Sequence, residues 1–411
     1  MSEPVPGQED FDQQGRTFRL EVLRALPNGF VDTAYGTFVV FLAVNVFDLP
    51  DNQKAGMVAA ASVGLLLSLF VVQLARRLGK PVNFLAAALW TAAACGFSVA
   101  ALSEGNATLY ATGCCMALTC MGMGSPLIAQ IYRKHYPNEK RGSLFSVTAL
   151  VRAASAGTAA WLVGDWLVGR NNSFSPLFWG YACACLIMAG CVLLMAPVVL
   201  SRSNRIRWFE AFRHVGEDRA FLKLLVVWMM FGFGNLAALA LFVEFITNVK
   251  YGYGFDAERV GLITSTIPMA VFIVCVVPWG FFFDRLPFYT VRVIVNLFFL
   301  SGILTYYLGG SFLTLCIGIG LHGIARSGGN ILWTLWVTRF ADGDRVVEYM
   351  SVHSFLTGIR GIIAPFFAYY VASSFSPLWV CSLSGTLIVL SGLAIVPEIR
   401  QEWTEWKKKP A

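Results

Sequence analysis

One apolar stretch, LCIGIGLHGIARSGGNILWTLWV at 315–337, carries His322, Arg326 and Asn330 at every fourth position. On a helix that spacing aligns the three side chains in a single polar stripe. Arg326 falls near the middle of the stretch, on the order of 20 Å deep at 1.5 Å per residue. An arginine at that depth costs about 2.5–3.5 kcal/mol on insertion scales, so it must face a wet cavity or a partner rather than lipid. Gly318, Gly320, Gly323, Gly328 and Gly329 thin the same helix and leave room beside the stripe.

Arg152 and Arg360 lie about 15–20 Å inside two other apolar stretches, and His353, Thr357 and Arg360 share one helical face. A guanidinium presents parallel N–H donors that match the paired oxygens of a carboxylate or phosphate. Two readings stand. Either Arg152, Arg326 and Arg360 form an anion-binding site, helped by His322, Asn330, Tyr35 and Asn235, or buried carboxylates neutralise them and they pin helices together. Asp32 is the best-placed carboxylate, with Asn28 four residues before it and Tyr35 three after. It either carries a coupling proton or permanently partners Arg152 or Arg360. His353 and Glu244 are the other proton-coupling candidates, since histidine titrates near neutral pH; ordinary packing is the competing reading for His353 and His322. Tyr35, Trp228, Phe231, Phe233, Trp333 and Trp336 either line a pocket for an organic solute or fill the core.

The elements that position these residues are membrane helices. The 411 residues are 57% hydrophobic and 13% charged, with mean hydropathy +0.64, and apolar runs recur from end to end. The net charge of +7 raises the question of nucleic acid, but the cations are scattered over short loops. Residues 1–10 are polar and acidic, unlike a secretory signal. The ten cysteines fall within apolar runs, against a disulfide framework. Cys114, Cys115 and Cys120 beside Met116, Met121 and Met123 read as packing rather than a soft-metal site. No metal, cofactor or nucleic-acid partner is expected, and no nucleophile with its base points to an enzyme.

The pattern predicts an all-α polytopic protein of twelve spans. A cytoplasmic tail with a short amphipathic segment covers 1–26, and six-helix bundles cover 27–199 and 222–398. A basic linker at 200–221 joins them, and a tail at 399–411 closes the chain. Most of the 31 lysines and arginines fall on the side of the termini and linker, whereas the opposite loops hold Lys54, Arg170, Lys250 and Arg259. Both termini are therefore expected in the cytoplasm. A shift of about 205 residues lays Gly56 on Gly261, and one of 204 lays Arg141 on Arg345 and Gly157 on Gly361. Repeated halves joined by a basic linker suit alternating access.

VQLARRLGK at 72–80 and GFFFDRLPF at 280–288 resemble the paired signature of the major facilitator superfamily, roughly G-x-L-a-D-R-x-G-R. Leu74, Ala75, Arg77, Gly79 and Lys80 match the first copy, with Arg76 where the aspartate belongs; Gly280, Asp284 and Arg285 match the second. The resemblance implies twelve helices in two pseudo-symmetric bundles and a cytoplasmic latch at Asp284 and Arg285. The mid-span arginine of the proton-linked branch is absent, with Leu118 near its place, and so is the glycine–proline signature of drug antiporters, with Ala153 to Gly157 there.

The expected function is secondary active transport of a small anionic organic solute, by proton coupling or anion exchange, across the plasma (inner) membrane by a monomer. The alternatives are export of a larger amphiphile, such as a siderophore or drug, and a non-transporting membrane receptor of the same fold.

Overall fold

Prolines and small polar caps divide the chain into helices. Pro50, Pro81, Pro137 and Pro287 each stand immediately before a helix, where a missing N–H costs nothing. Asn106, Asp218 and Asp256 accept from the backbone N–H three residues on, at 3.0 Å in each case. The computed structural model describes residues 8–170, 172–200, 208–335 and 344–406, with helices and no strand among them.

The first half holds α1 (Gln8–Thr33), a π-turn (Ala34–Phe38), α2 (Val39–Asn45), α3 (Asp51–Leu78), α4 (Val82–Ala101), α5 (Ala107–His135), α6 (Asn138–Val168) and α7 (Ser175–Leu194). A linker helix, α8 (Trp208–Glu217), follows. The second half holds α9 (Arg219–Ala240), α10 (Phe242–Thr247), α11 (Ala257–Gly261), a second π-turn (Leu262–Thr266), α12 (Ile267–Arg285), α13 (Phe288–Leu308), α14 (Phe312–Leu335), α15 (Asp344–Ser374) and α16 (Pro377–Leu393). The chain then continues into α17 (Val396–Trp406). Ten stretches among the described residues are long and apolar enough to cross a membrane. The first span, α1 through α2, and the tenth, α14, complete the set of twelve; polar side chains dilute both.

The amphipathic lead-in expected at 11–26 is not a separate surface helix. It is the start of α1, which runs unbroken through Pro27, and it buries Thr17, Glu21 and Arg24. Glu21 grips Arg24 through two bonds of 2.7 Å, which is what lets this polar face pack inward. Gly29 brings α1 against α6: a Cβ there would strike backbone atoms of Arg152 and Ala156.

The halves repeat a corner with different chemistry. In the first, the Asn83 amide at the start of α4 donates to Val192 O and Ala196 O and accepts from Val198 N. At the corresponding corner of the second, Glu402 on α17 accepts from the N–H groups of Phe288 and Tyr289, at 3.1 and 2.9 Å, and so caps α13.

The halves meet along α3 with α15, α6 with α11 and α12, and α2 with α10. Thr37 and Thr264, one in each π-turn, bond across the boundary at 2.8 Å. Thr266 Oγ1 donates to Gly157 O, also at 2.8 Å. Lys54 on α3 pairs with Glu244 on α10 at 3.0 Å. These cross-half bonds lie at mid-span and toward the end away from the linker.

Of the expected latch, the Asp284 side chain lies outside the described residues, as do 336–343 before α15. Arg285 lies over the Phe281 ring of its own helix, 3.3 Å from the centroid. Linker residues 201–207 and the tail beyond 406 are likewise outside.

Candidate functional site

Between the halves lies a cavity of about 390 Å3. The first half contributes Glu21, Arg24, Asn28, Asp32, Tyr132 and Arg152; the second contributes Trp228, Phe231, Asn235, Phe299, Arg326, Asn330, Trp333 and Arg360. A second cavity, about 360 Å3, adjoins it and adds Tyr35 and His322. Asp32, Arg152, Asn235 and Arg326 line both, so they form a polar belt between the two spaces. Tyr35, half-exposed, stands within the first π-turn, a local widening that turns side chains off the regular helical path.

The three arginines differ in what they touch. Arg152 on α6 holds Asp32 on α1 by a bidentate pair, with Nε–Oδ2 and Nη2–Oδ1 both at 2.6 Å. The pair faces the cavity, Arg152 being about half exposed. Arg360 on α15 donates from Nη1 to the carbonyl of Trp228, at 2.6 Å, and its Nε has no acceptor among the described residues. Gly232 makes room for it, since a Cβ there would overlap the guanidinium. Arg326 on α14 faces the cavity and has no hydrogen-bond or ion-pair partner among the described residues. Among the described residues, then, a carboxylate is bonded to Arg152 and to neither Arg326 nor Arg360.

Asn330 and Asn235 line the same cavity as Arg326. His322 is buried against the rings of Phe299 and Phe242, at 5.0 and 5.4 Å, and reaches only the second cavity. His353 is not where its helical face suggested. It has no exposed surface and sits against Trp333 and Trp228, at 4.4 and 5.9 Å, lining neither cavity. Glu244 lines neither as well, being held by Lys54 and by the Asn248 amide at 2.9 Å. Among the aromatics, Tyr35, Trp228, Phe231 and Trp333 line the cavities, while Phe233 packs on Phe367 at 5.4 Å.

The burial of four charged residues escaped the sequence. Arg24 and Glu21 sat in a segment assigned to the membrane surface. Arg292 was counted among the loop cations, yet it is 1% exposed and lies 3.9 Å over the face of Trp228. Lys54, counted as an outer-loop cation, is buried at the boundary. The available signal was that each lies within one or two turns of an apolar run.

Solved transporters share this architecture. The nucleoside transporter NupG is 13% identical and aligns over 93% of this chain and 98% of its own, with a TM-score of 0.70. The peptide transporter POT, in complex with sulfate, is 13% identical over 93% and 95%, with a TM-score of 0.70. The xylose transporter XylE from E. coli, in a partially occluded inward-open conformation, is 13% identical over 97% and 98%, with a TM-score of 0.65. At such identities the likeness is one of fold. Compared with the curated proteins, the chain finds no match. Residues 18–160 match the model of the Major Facilitator Superfamily.

The match covers the first part of the chain, and over its whole length the chain shares the fold of these solved transporters.

The protein is a multi-pass integral membrane protein, and at Arg76 it departs from the signature that 72–80 resembles. The Arg76 Nε and Nη1 are buried without a hydrogen-bond acceptor among the described residues. The position sits in the last turn of α3, where a cation complements the helix dipole. An aspartate there would sit against that same negative end.

Proposed function

We propose that this protein is a secondary active transporter of a small organic anion, bound at mid-membrane between the halves and released by their rocking. The carrying observation is Arg326: a guanidinium at mid-span, facing a cavity, with no carboxylate bonded to it among the described residues, since Asp32 is engaged by Arg152. In a low-dielectric span such a charge is costly until an anion meets it. Asn330 and Asn235 supply neutral donors and acceptors beside it, and Trp228, Phe231 and Trp333 supply apolar surface for an organic body. The fold neighbours named for nucleoside, peptide and xylose transport support the general activity.

The Asp32–Arg152 pair is the coupling element of this reading. Protonation of Asp32, or competition by the substrate for Arg152, would release the pair and move charge across the polar belt. Anion exchange uses the same arginines without the proton. The protein acts as a monomer in the plasma (inner) membrane, its termini and linker in the cytoplasm, as the loop charges favour.

Arg326→Lys keeps the charge and loses the fork. In liposomes loaded against a panel of labelled organic acids, uptake should persist with apparent affinity weakened about tenfold, or 1.4 kcal/mol. Arg326→Ala should fold with an unchanged melting temperature and lose uptake. Normal uptake by Arg326→Lys, together with an Arg326→Ala protein that does not fold, would overturn the reading.

A further inference from the structure

The cavity holds more positive charge than its own carboxylates can meet, and the excess lies on one wall. Glu21 is fully engaged by Arg24, and Asp32 by Arg152, each through two hydrogen bonds. Both of those pairs belong to the first half. On the second-half wall, Arg326 has no partner among the described residues. Arg360 has only the Trp228 carbonyl and, at 3.9 Å, the Met229 thioether. Behind Trp228 lies Arg292, 1% exposed, its Nε and Nη2 without acceptors among the described residues. Its guanidinium is spread over the indole face at 3.9 Å, which softens the charge without neutralising it. Among the described residues no carboxylate forms a hydrogen bond or ion pair with any of these three; Asp32, the carboxylate nearest Arg326, gives both its oxygens to Arg152.

From this arrangement we infer that the substrate is a dianion, its two anionic groups held separately by Arg326 and Arg360 and joined by an apolar spacer. This rests on the anion-site reading above and adds the number and spacing of the charges. The spacing follows from α14. Arg326 and Trp333 are seven residues apart, two helical turns or about 10.5 Å along the axis. The Arg360 guanidinium lies 5.9 Å from the Trp333 ring. Arg326 and the ring beside Arg360 thus sit at different levels of α14, and on the proposal each cation takes its own anionic group. Trp228, Phe231 and Trp333 line the same space, so the part of the ligand between the charges meets rings rather than donors. Arg292 serves Arg360 from behind as a positioning charge: it raises the potential at that end without touching the ligand.

A cavity of about 390 Å3 suits a small diacid. Each anionic group that docks relieves a cation otherwise stranded in the membrane, so the second group should add affinity and not merely be tolerated. A monoanion leaves one of the two arginines unmet whichever end it chooses.

The test uses matched acids on the purified full chain: butyrate with succinate, octanoate with suberate, and benzoate with terephthalate. Binding is read by calorimetry, with melting temperature as the check on folding. Suberate or terephthalate should bind at least tenfold tighter than its monoacid, and succinate, too short to bridge, should gain less. Arg360→Gln and Arg326→Gln should each reduce that preference to about twofold or less. In Arg360→Gln the monoacid should lose less affinity than its diacid, because Arg326 still offers it one cation. If one variant fails to fold, the other carries the same expectation. Wild-type protein that binds mono- and diacids equally would overturn the dianion inference and leave the anion site standing, and so would a preference that survives in both variants. Protein that binds no member of the panel would overturn the anion site and this inference with it.

Discussion

Lys54 Nζ and Glu244 Oε1 lie 3.0 Å apart across the boundary between the halves, their side chains 5% and 1% exposed. Asp51 at 2.8 Å and Lys250 at 3.8 Å extend the pair into a network at the end away from the linker, and the Lys54 ammonium also lies over Tyr369. In the proposed rocking cycle a buried ion pair between the halves would act as a gate, because opening returns both charges to water. Glu244→Gln should therefore favour the state open at that end by about 1.5–3 kcal/mol, the range for a hydrogen bond to a charged group. A cysteine at Tyr35 should then react at least tenfold faster with an impermeant maleimide added from that side. An unchanged rate would remove the gate assignment.

Asp32 and Arg152 should couple measurably in a double-mutant cycle. Asp32→Asn and Arg152→Gln should each lower stability by about 1.5–3 kcal/mol. The double variant should cost less than their sum, because neither charge is then stranded. Additive losses in denaturant or thermal unfolding would show that the pair contributes nothing of its own.

The two corner ties should be structural only. Glu402→Ala removes the cap of α13 and should cost about 0.5–2 kcal/mol, and Asn83→Ala about 1–3 kcal/mol from the groups it strands. Ligand affinity should stay within about twofold of wild type in both. A variant that kept its melting temperature and lost binding would place that corner in the transport cycle instead.

Orientation can be read by labelling in intact cells. With the ten native cysteines replaced, a cysteine at Asn106 should react with an impermeant thiol reagent and one at Lys140 should not. Reaction at Lys140 at the rate seen for Asn106 would invert the proposed topology.

The fold was written locally. Apolar runs of membrane length, proline and Asn/Asp punctuation and the offset near 205 residues each depend on neighbours in sequence or on composition, and they point to one architecture. The mid-span arginines were visible for the same reason: a charge inside an apolar run is conspicuous whatever surrounds it. The start of α1 was misread because Glu21 and Arg24 carry a polarity that looks like surface when read singly. Their mutual pairing, which makes burial tolerable, is a property of the folded helix among its neighbours.

Only the tertiary structure decided which charges were already spent. One sequence contains Asp32, Arg152, Arg326, Arg360, Glu244 and Lys54, and many pairings among them are compatible with helical spacing. Packing chose Asp32 for Arg152 and Glu244 for Lys54, left Arg326 facing open space, and laid Arg292 on Trp228. These choices depend on distances of 2.6–3.9 Å between helices far apart in the chain, and pairwise electrostatics at that range changes severalfold with burial. Periodicity places a residue on a face of its helix. What stands opposite that face is settled by the packing of the whole bundle.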